Sequence, residues 1–288
     1  MINSNKKIHF VECPRDAMQG WKNFIPTERK IRYINKLLEV GFDTIDFGSF
    51  VSPKAIPQMA DTKEVIGHLS IVNINSKLLA IVANIRGAME AAEFEKISYL
   101  GFPFSISSTF QMRNTNSTIE KSMQTVKEIK SICDKNKKQP VVYISMAFGN
   151  PYGDSYDEEI VLHWVDKLAG EGIEIISLAD TVGVASSTQI ASLVSKVISG
   201  FPNIKTGVHL HSSNAHWQEK VEAALENGCT RFDGALKGIG GCPMANDELV
   251  GNMDSELMIN YFRNLGYMEN LNMEALAECS NLASEIFV

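Results

Sequence analysis

The sequence predicts a single (β/α)8 barrel, a TIM barrel, with an extra helix at its C-terminal end. Three observations predict it. Eight short β-rich runs alternate with longer segments of helical period. The runs are nearly continuous in apolar residues, as the strands of a parallel sheet covered by helices are. No Pro/Ser-rich linker or low-complexity tract divides the 288 residues, a length that an α/β barrel uses as one domain. Against an open dinucleotide-binding sheet, no G-x-G-x-x-G follows the first run, which continues as VECPRDAMQG. Residues 1–288 are therefore expected to form one barrel domain, with 238–252 as a loop over its mouth.

In chain order the strand runs are 8–13, 43–49, 78–84, 99–107, 141–148, 173–180, 206–211 and 230–236. Between the first two, Ile31, Ile34, Leu37 and Leu38 recur at helical spacing, and Gly41 supplies a stop. After the fifth, the acidic turn Asp157, Glu158 and Glu159 suits a helix N-terminus leading into the stripe Val161, Trp164, Val165 and Leu168. After the sixth come Ile190, Leu193, Val194, Val197 and Ile198, ended by Gly200 and Pro202. Packing against the sheet accounts for all three stripes. Beyond the eighth unit, residues 273–287 form the extra helix.

Composition narrows the function classes. Hydrophobic residues make up 44% and charged residues 21%, a globular balance. A net charge of -7 excludes a broad nucleic-acid surface, which needs clustered Lys and Arg. The longest apolar stretches are strand-sized, so no membrane span is expected. The N-terminus MINSNKKIHF carries neither an apolar signal core nor an Arg-rich leader, and the expected location is the cytoplasm. The five cysteines, Cys13, Cys133, Cys229, Cys242 and Cys279, are odd in number and lack C-x-x-C spacing, which argues for reduced thiols.

In a barrel, chemistry gathers at the C-terminal ends of the strands. The first run ends in Arg15 and Asp16, the second carries Asp46 and Ser49, and the sixth stops at Asp180. The seventh ends in VHLH, where alternation puts His209 and His211 on one face and lets two imidazoles converge on one ion. Asp16 adds a carboxylate oxygen, and Asn252 or Asn246 a side-chain amide oxygen. Such a mixed set suits octahedral Mg2+ or Mn2+ better than a closed zinc site. Each member also has a purely structural reading: Asp180 and Asn252 as helix caps, Asp16 as a turn cap. In KGIGGCPM, Gly238, Gly240, Gly241 and Pro243 place Cys242 in a pliable loop, where it is either a proton-transferring thiol or a small buried hydrophobe.

The segments FVECPRDAMQ, FVSPKAIPQMAD, ISLADTVGV, VHLH and GIGGCPMA with a downstream GN occur in the order found in the hydroxymethylglutaryl-CoA lyase family, which the chain resembles from about residue 8 into the 260s. The resemblance implies that Asp16, His209, His211 and Asn252 bind Mg2+ or Mn2+. It implies that Arg15 stabilises charge on the thioester oxygen, that Cys242 transfers a proton, and that Asp180 serves proton handling around the substrate hydroxyl and ligand positioning. Gln19, Asp46, Ser49 and Asn114 become substrate-pocket positions. The implied reaction is a retro-Claisen cleavage of a small-molecule acyl-CoA, hydroxymethylglutaryl-CoA, to acetyl-CoA and acetoacetate, by an enzyme expected to be a homodimer. The chain departs from the family in several places. Asp46 stands where Glu is usual, Cys13 and Ala17 where Gly is, and Ser212 where Asp follows the second His; the loop from Cys242 to Asn252 is one residue longer. Two alternatives accompany this reading. One is a lyase or Claisen-type synthase for a related hydroxyacyl-CoA, the synthase being disfavoured by the short stretch after residue 266. The other is a non-catalytic barrel that binds CoA esters.

Overall fold

The structure, a computed structural model, describes residues 7–71, 74–212, 215–241 and 250–288. In order these form β1 (His9–Glu12), α1 (Pro14–Gln19), α2 (Thr27–Val40), β2 (Thr44–Ser49), α3 (Thr62–Gly67), β3 (Lys77–Ile81), α4 (Ile85–Ala92), β4 (Ile97–Ser105), α5 (Ser108–Thr115) and α6 (Ile119–Lys135). They continue as β5 (Gln139–Ser145), α7 (Glu158–Gly170), β6 (Ile175–Ala179), α8 (Ser187–Gly200), β7 (Lys205–His209), α9 (Trp217–Glu226), β8 (Arg231–Gly234), α10 (Ser255–Asn264) and α11 (Met273–Ile286). Each strand pairs in parallel with the next, and β8 pairs with β1 to close the cylinder. The expected barrel and its extra C-terminal helix are both present.

The helices start and stop where local chemistry dictates. Gly41, at φ 91°, ends α2 in the left-handed region that a side chain resists. Asp157 caps α7 by accepting from the Ile160 N–H, and Ser186 and Gln189 form a reciprocal capping box on α8. Several strands end earlier than their apolar runs. β3 stops at Ile81 rather than 84 because Asn84 leaves the sheet to cap α4, its side chain accepting from the Gly87 N–H. The short rim helices α1 and α5, six and eight residues long, carry too few turns to show a period in sequence.

The barrel interior has two unlike halves. Leu79, Ile81, Val141, Tyr143 and Ile175, from β3, β5 and β6, make an apolar cluster of their own. Across from it, β1, β2, β7 and β8 contribute Cys13, Asp46, His209, Arg231 and Asp233, and this half carries the chemistry. Outside the barrel, α11 lies across α2. Its Leu276, Cys279, Leu282 and Ile286 are buried, each large apolar side chain contributing roughly 1.5–3 kcal/mol. Asn272 N–H donates to the Val40 carbonyl, and Lys36 pairs with Glu278 at 2.9 Å, fixing where α11 begins and lies.

Candidate active site at the mouth of the barrel

The site begins where β1 turns without a loop into α1. Pro14 occupies the first turn, where its missing N–H costs nothing, so the chain bends at once and presents Arg15 and Asp16 at the rim. The Arg15 guanidinium is gripped from two sides. Its Nε donates to both Asp46 oxygens at 3.2 and 3.0 Å, Nη2 reaches Asp46 Oδ2, and Nη1 donates to Asp16 Oδ1 at 2.8 Å. Gln19, one turn along α1, donates to the same Asp16 oxygen at 2.7 Å. Asp46 is one methylene shorter than the family's Glu, yet it still meets the guanidinium with both oxygens.

Strand β7 delivers His209, and the chain continues to His211, which forms an isolated antiparallel bridge with Asn252. The two imidazole rings lie 5.1 Å apart. The expected convergence therefore holds although the strand ends at His209. Each Nδ1 is held from behind, His209 by Asp233 Oδ2 at 3.2 Å and His211 by the Val250 carbonyl at 3.0 Å. Asn252 donates through Nδ2 to Asp16 Oδ2 at 2.7 Å and to the Ile239 carbonyl at 2.9 Å. Gly240, at φ 117°, passes so close that a Cβ there would strike the Asn252 amide and the Asp16 backbone.

Burial and charge set the protonation states. Burial pushes Asp16 up, but Arg15, the two histidines and the Asn252 hydrogen bond together hold it at about 2. Burial dominates at Asp46 and raises it to about 6 against the pull of Arg15. His209 resists burial because Asp233 and Asp16 favour its charged form, so its pKa is raised; burial and the neighbouring His209 lower that of His211. The two histidines are thereby driven apart.

One pocket takes in Arg15, Asp16, Gln19, Asn114, His209 and His211, walled on its apolar side by Val51, Ile56, Ile81 and Phe110. Other expected residues fall elsewhere. Asp46 sits beneath Arg15 and reaches the pocket through it. The Ser49 hydroxyl accepts from the Val51 N–H at 3.2 Å, holding the turn after β2. Asp180 lies behind the site: its oxygens accept from the Ala185 N–H, and Oδ2 pairs with Lys220 at 2.9 Å, whose ammonium also donates to the His211 carbonyl at 2.9 Å. An acid so occupied supports the His211 backbone, in keeping with the ligand-positioning part of its expected role. Cys242 and Asn246 lie outside the described residues, as does most of the 238–252 loop.

Three buried groups went unread in the sequence. Asp233 shares the interior face of β8 with Arg231, and alternation from the eighth run would have pointed to it. Lys220 sits inside an ordinary amphipathic helix and gives no signal. Glu12, fully buried, accepts from the Leu236 N–H at 2.9 Å and from the Ser255 hydroxyl, so one carboxyl ties down both flanks of the mouth loop.

The donor set fits a hard dication. With Nδ1 of both histidines occupied, each presents Nε2; with both Asn252 N–H groups donated, its Oδ1 is the atom left to coordinate. Asp16 adds an ionised oxygen, and two nitrogens with two oxygens leave room for substrate oxygens.

The HMGL-like family model matches residues 7–283. The mitochondrial hydroxymethylglutaryl-CoA lyase of Mus musculus is 32% identical over 280 residues, covering 96% of this chain and 84% of its own. A 3-hydroxy-3-isohexenylglutaryl-CoA/hydroxy-methylglutaryl-CoA lyase of Pseudomonas aeruginosa is 31% identical over 278 residues, covering 96% and 92%. An HMG-CoA lyase of Acinetobacter baumannii, solved with coenzyme A and 3-methylmalate, superimposes with a TM-score of 0.90 at 32% identity, over 98% of this chain and 91% of that one. Matched by that model over nearly its whole length and by relatives at about a third identity, the chain belongs to the HMGL-like family.

Proposed function

We propose that the protein is a divalent-metal-dependent carbon-carbon lyase that cleaves hydroxymethylglutaryl-CoA to acetyl-CoA and acetoacetate. The observation that carries the reading is the meeting of Arg15, Asp16, His209 and His211 in one pocket, with Asn252 bridging Asp16 and the His211 strand. Asp16, His209, His211 and Asn252 would hold Mg2+ or Mn2+, which supplies Lewis-acid polarisation of the substrate's hydroxyl and carboxylate oxygens.

The chain's own residues do the rest. Asp46 and Asp16 fix the Arg15 plane with three of its five N–H groups, leaving one on each Nη for the thioester oxygen. Once a base takes the hydroxyl proton, the O–H electron pair closes the ketone of acetoacetate as the adjacent carbon-carbon bond breaks, and that bond's pair moves onto the thioester oxygen as the enolate of acetyl-CoA. The Arg15 charge meets it there, an interaction worth about 2–4 kcal/mol in a water-excluded site. Cys242 delivers the proton that the enolate carbon takes up, and Asp180 positions His211 through Lys220. Asn114 and Gln19 line the pocket that takes the acyl group.

Purified protein with Mg2+ or Mn2+ is expected to release acetyl-CoA from hydroxymethylglutaryl-CoA, and EDTA to stop it; no turnover under metal-replete, reduced conditions would sink the proposal. Cys242→Ser should lose most turnover while keeping bound metal, whereas His211→Ala should lose both. The apolar wall of Val51, Ile56, Ile81 and Phe110 favours a second reading in acyl specificity, a lyase for a longer hydroxyacyl-CoA. A panel of 3-hydroxyacyl-CoA esters compared by kcat/KM separates the two. The cytoplasm and a homodimer complete the reading; among the described residues no helix is long and apolar enough to cross a membrane.

A further inference from the structure

Beneath the rim lies a second set of donors, of which the lyase reading uses only His209, and that through its other nitrogen. Cys13, His209 and Asp233 each offer one ligand atom, and these atoms lie within 4.8 Å of one another. Cys13 and Asp233 are 1% and 2% exposed. Asp233 Oδ1 is buried and has no hydrogen-bond partner among the described residues. Buried Arg231 on the same face compensates its charge from a distance, but no donor meets this oxygen, and an unmet buried oxygen is costly until one does. The Cys13 Sγ has only a loose contact, 3.6 Å to the Val11 carbonyl, so little is lost when it turns away.

We propose that Cys13, His209 Nδ1 and Asp233 form a binding site for a thiophilic dication such as Cd2+ or Zn2+, one level below the rim and sharing His209 with it. Tetrahedral bonds of about 2.3 Å to sulfur and about 2.0 Å to nitrogen and oxygen set donors roughly 3.5 Å apart, within reach of a rotation of the Cys13 side chain. A thiolate selects such ions over Mg2+, which prefers oxygen. Proton balance follows from the geometry. Starting from a neutral imidazole whose Nδ1–H faces Asp233, the dication takes the place of that proton, which passes to Nε2; the Cys13 thiol releases its proton to solvent. One proton leaves per ion bound. Because Nε2 then carries hydrogen, His209 is lost to the rim, and the deep ion and a rim Mg2+ or Mn2+ exclude one another. The site makes the enzyme sensitive to thiophilic metals.

The test is a Cd2+ titration of the full-length, reduced, chelator-treated protein. The ultraviolet thiolate-to-cadmium charge-transfer band should appear and saturate at one ion per chain. It should persist in Cys242→Ser and vanish in Cys13→Ala. If Cys13→Ala fails to fold, Cys13→Ser carries the same expectation. In a parallel arm, Cd2+ should displace bound Mn2+, read by the return of the free-ion resonance signal, and this displacement should need roughly tenfold or more Cd2+ in Cys13→Ala. The displacement arm rests on the rim-cation reading and the band does not, so the two can fail separately. A band that survives in the Cys13 variants, one that disappears in Cys242→Ser, or none in the parent protein overturns the proposal.

Discussion

Glu12 offers the sharpest test of how the mouth loop is held. Its carboxyl is fully buried, and burial raises its pKa from 4.5 to about 8, against the opposing hydrogen bonds from Ser255 and Leu236. The folded state thus holds a proton that the unfolded chain gives up above pH 4.5. Stability is fully present below that pH and falls as pH rises toward 8, with the native state binding more protons than the unfolded one. At about 1.4 kcal/mol per pH unit, the loss across the window reaches an upper limit of about 5 kcal/mol. Glu12→Gln keeps the shape, an oxygen for the Leu236 N–H and an amide donor for Ser255, but does not titrate. Equilibrium urea unfolding of both proteins with metal chelated, at several pH values from 5 to 8, should show the variant gaining on the parent by roughly 1 kcal/mol or more per unit. Asp46, raised to about 6, adds a slope of the same sign, but it is common to both and cancels in the difference. Parallel stability curves for the two proteins would refute the reasoning.

Two further perturbations probe the supports. Lys220→Met leaves Asp180 buried beside an apolar group and should cost about 3–5 kcal/mol in urea unfolding, with Asp180→Asn restoring much of it in the double variant; an unchanged midpoint would show that the pair carries no such load. Gly240→Ala forces a side chain into left-handed backbone and onto Asn252, so Mn2+ affinity should fall roughly tenfold alongside a stability loss of about 1–3 kcal/mol. Unaltered Mn2+ binding would mean that Asn252 is not a ligand.

The fold was legible because each strand run is apolar and each helix has a period, and all eight strands stand within a few residues of their expected positions. The rim residues were legible for a related reason. Arg15, Asp16, His209 and His211 interrupt apolar runs at strand ends, where polar groups have no packing role. What sequence did not disclose is whatever works through three-dimensional pairing. Asp180 looks like a pocket acid until Lys220, 40 residues away, is seen to occupy it. Glu12 sits inside an apolar strand, and its partners Leu236 and Ser255 lie more than 220 residues downstream. Local pattern carries no trace of such partners.

The departures from the family's pattern lead to different consequences because they occupy different layers. Asp46 is buffered: a shorter carboxylate still meets the planar guanidinium with both oxygens, so Arg15 keeps its place. Ser212 removes a carboxylate beyond His211, but that imidazole is oriented by the Val250 carbonyl and its backbone by Lys220, while the Ser212 N–H still donates to the Gly251 carbonyl beside it at 3.2 Å. Cys13 differs from both, since nothing compensates it. It adds a thiol within 4.8 Å of ligand atoms of His209 and Asp233, and under the deep-site proposal a substitution there changes which ions the barrel accepts. Metal choice is therefore the property in which this chain should diverge first from its relatives, and restoring Gly at position 13 should return cadmium tolerance while leaving the Mn2+ site intact.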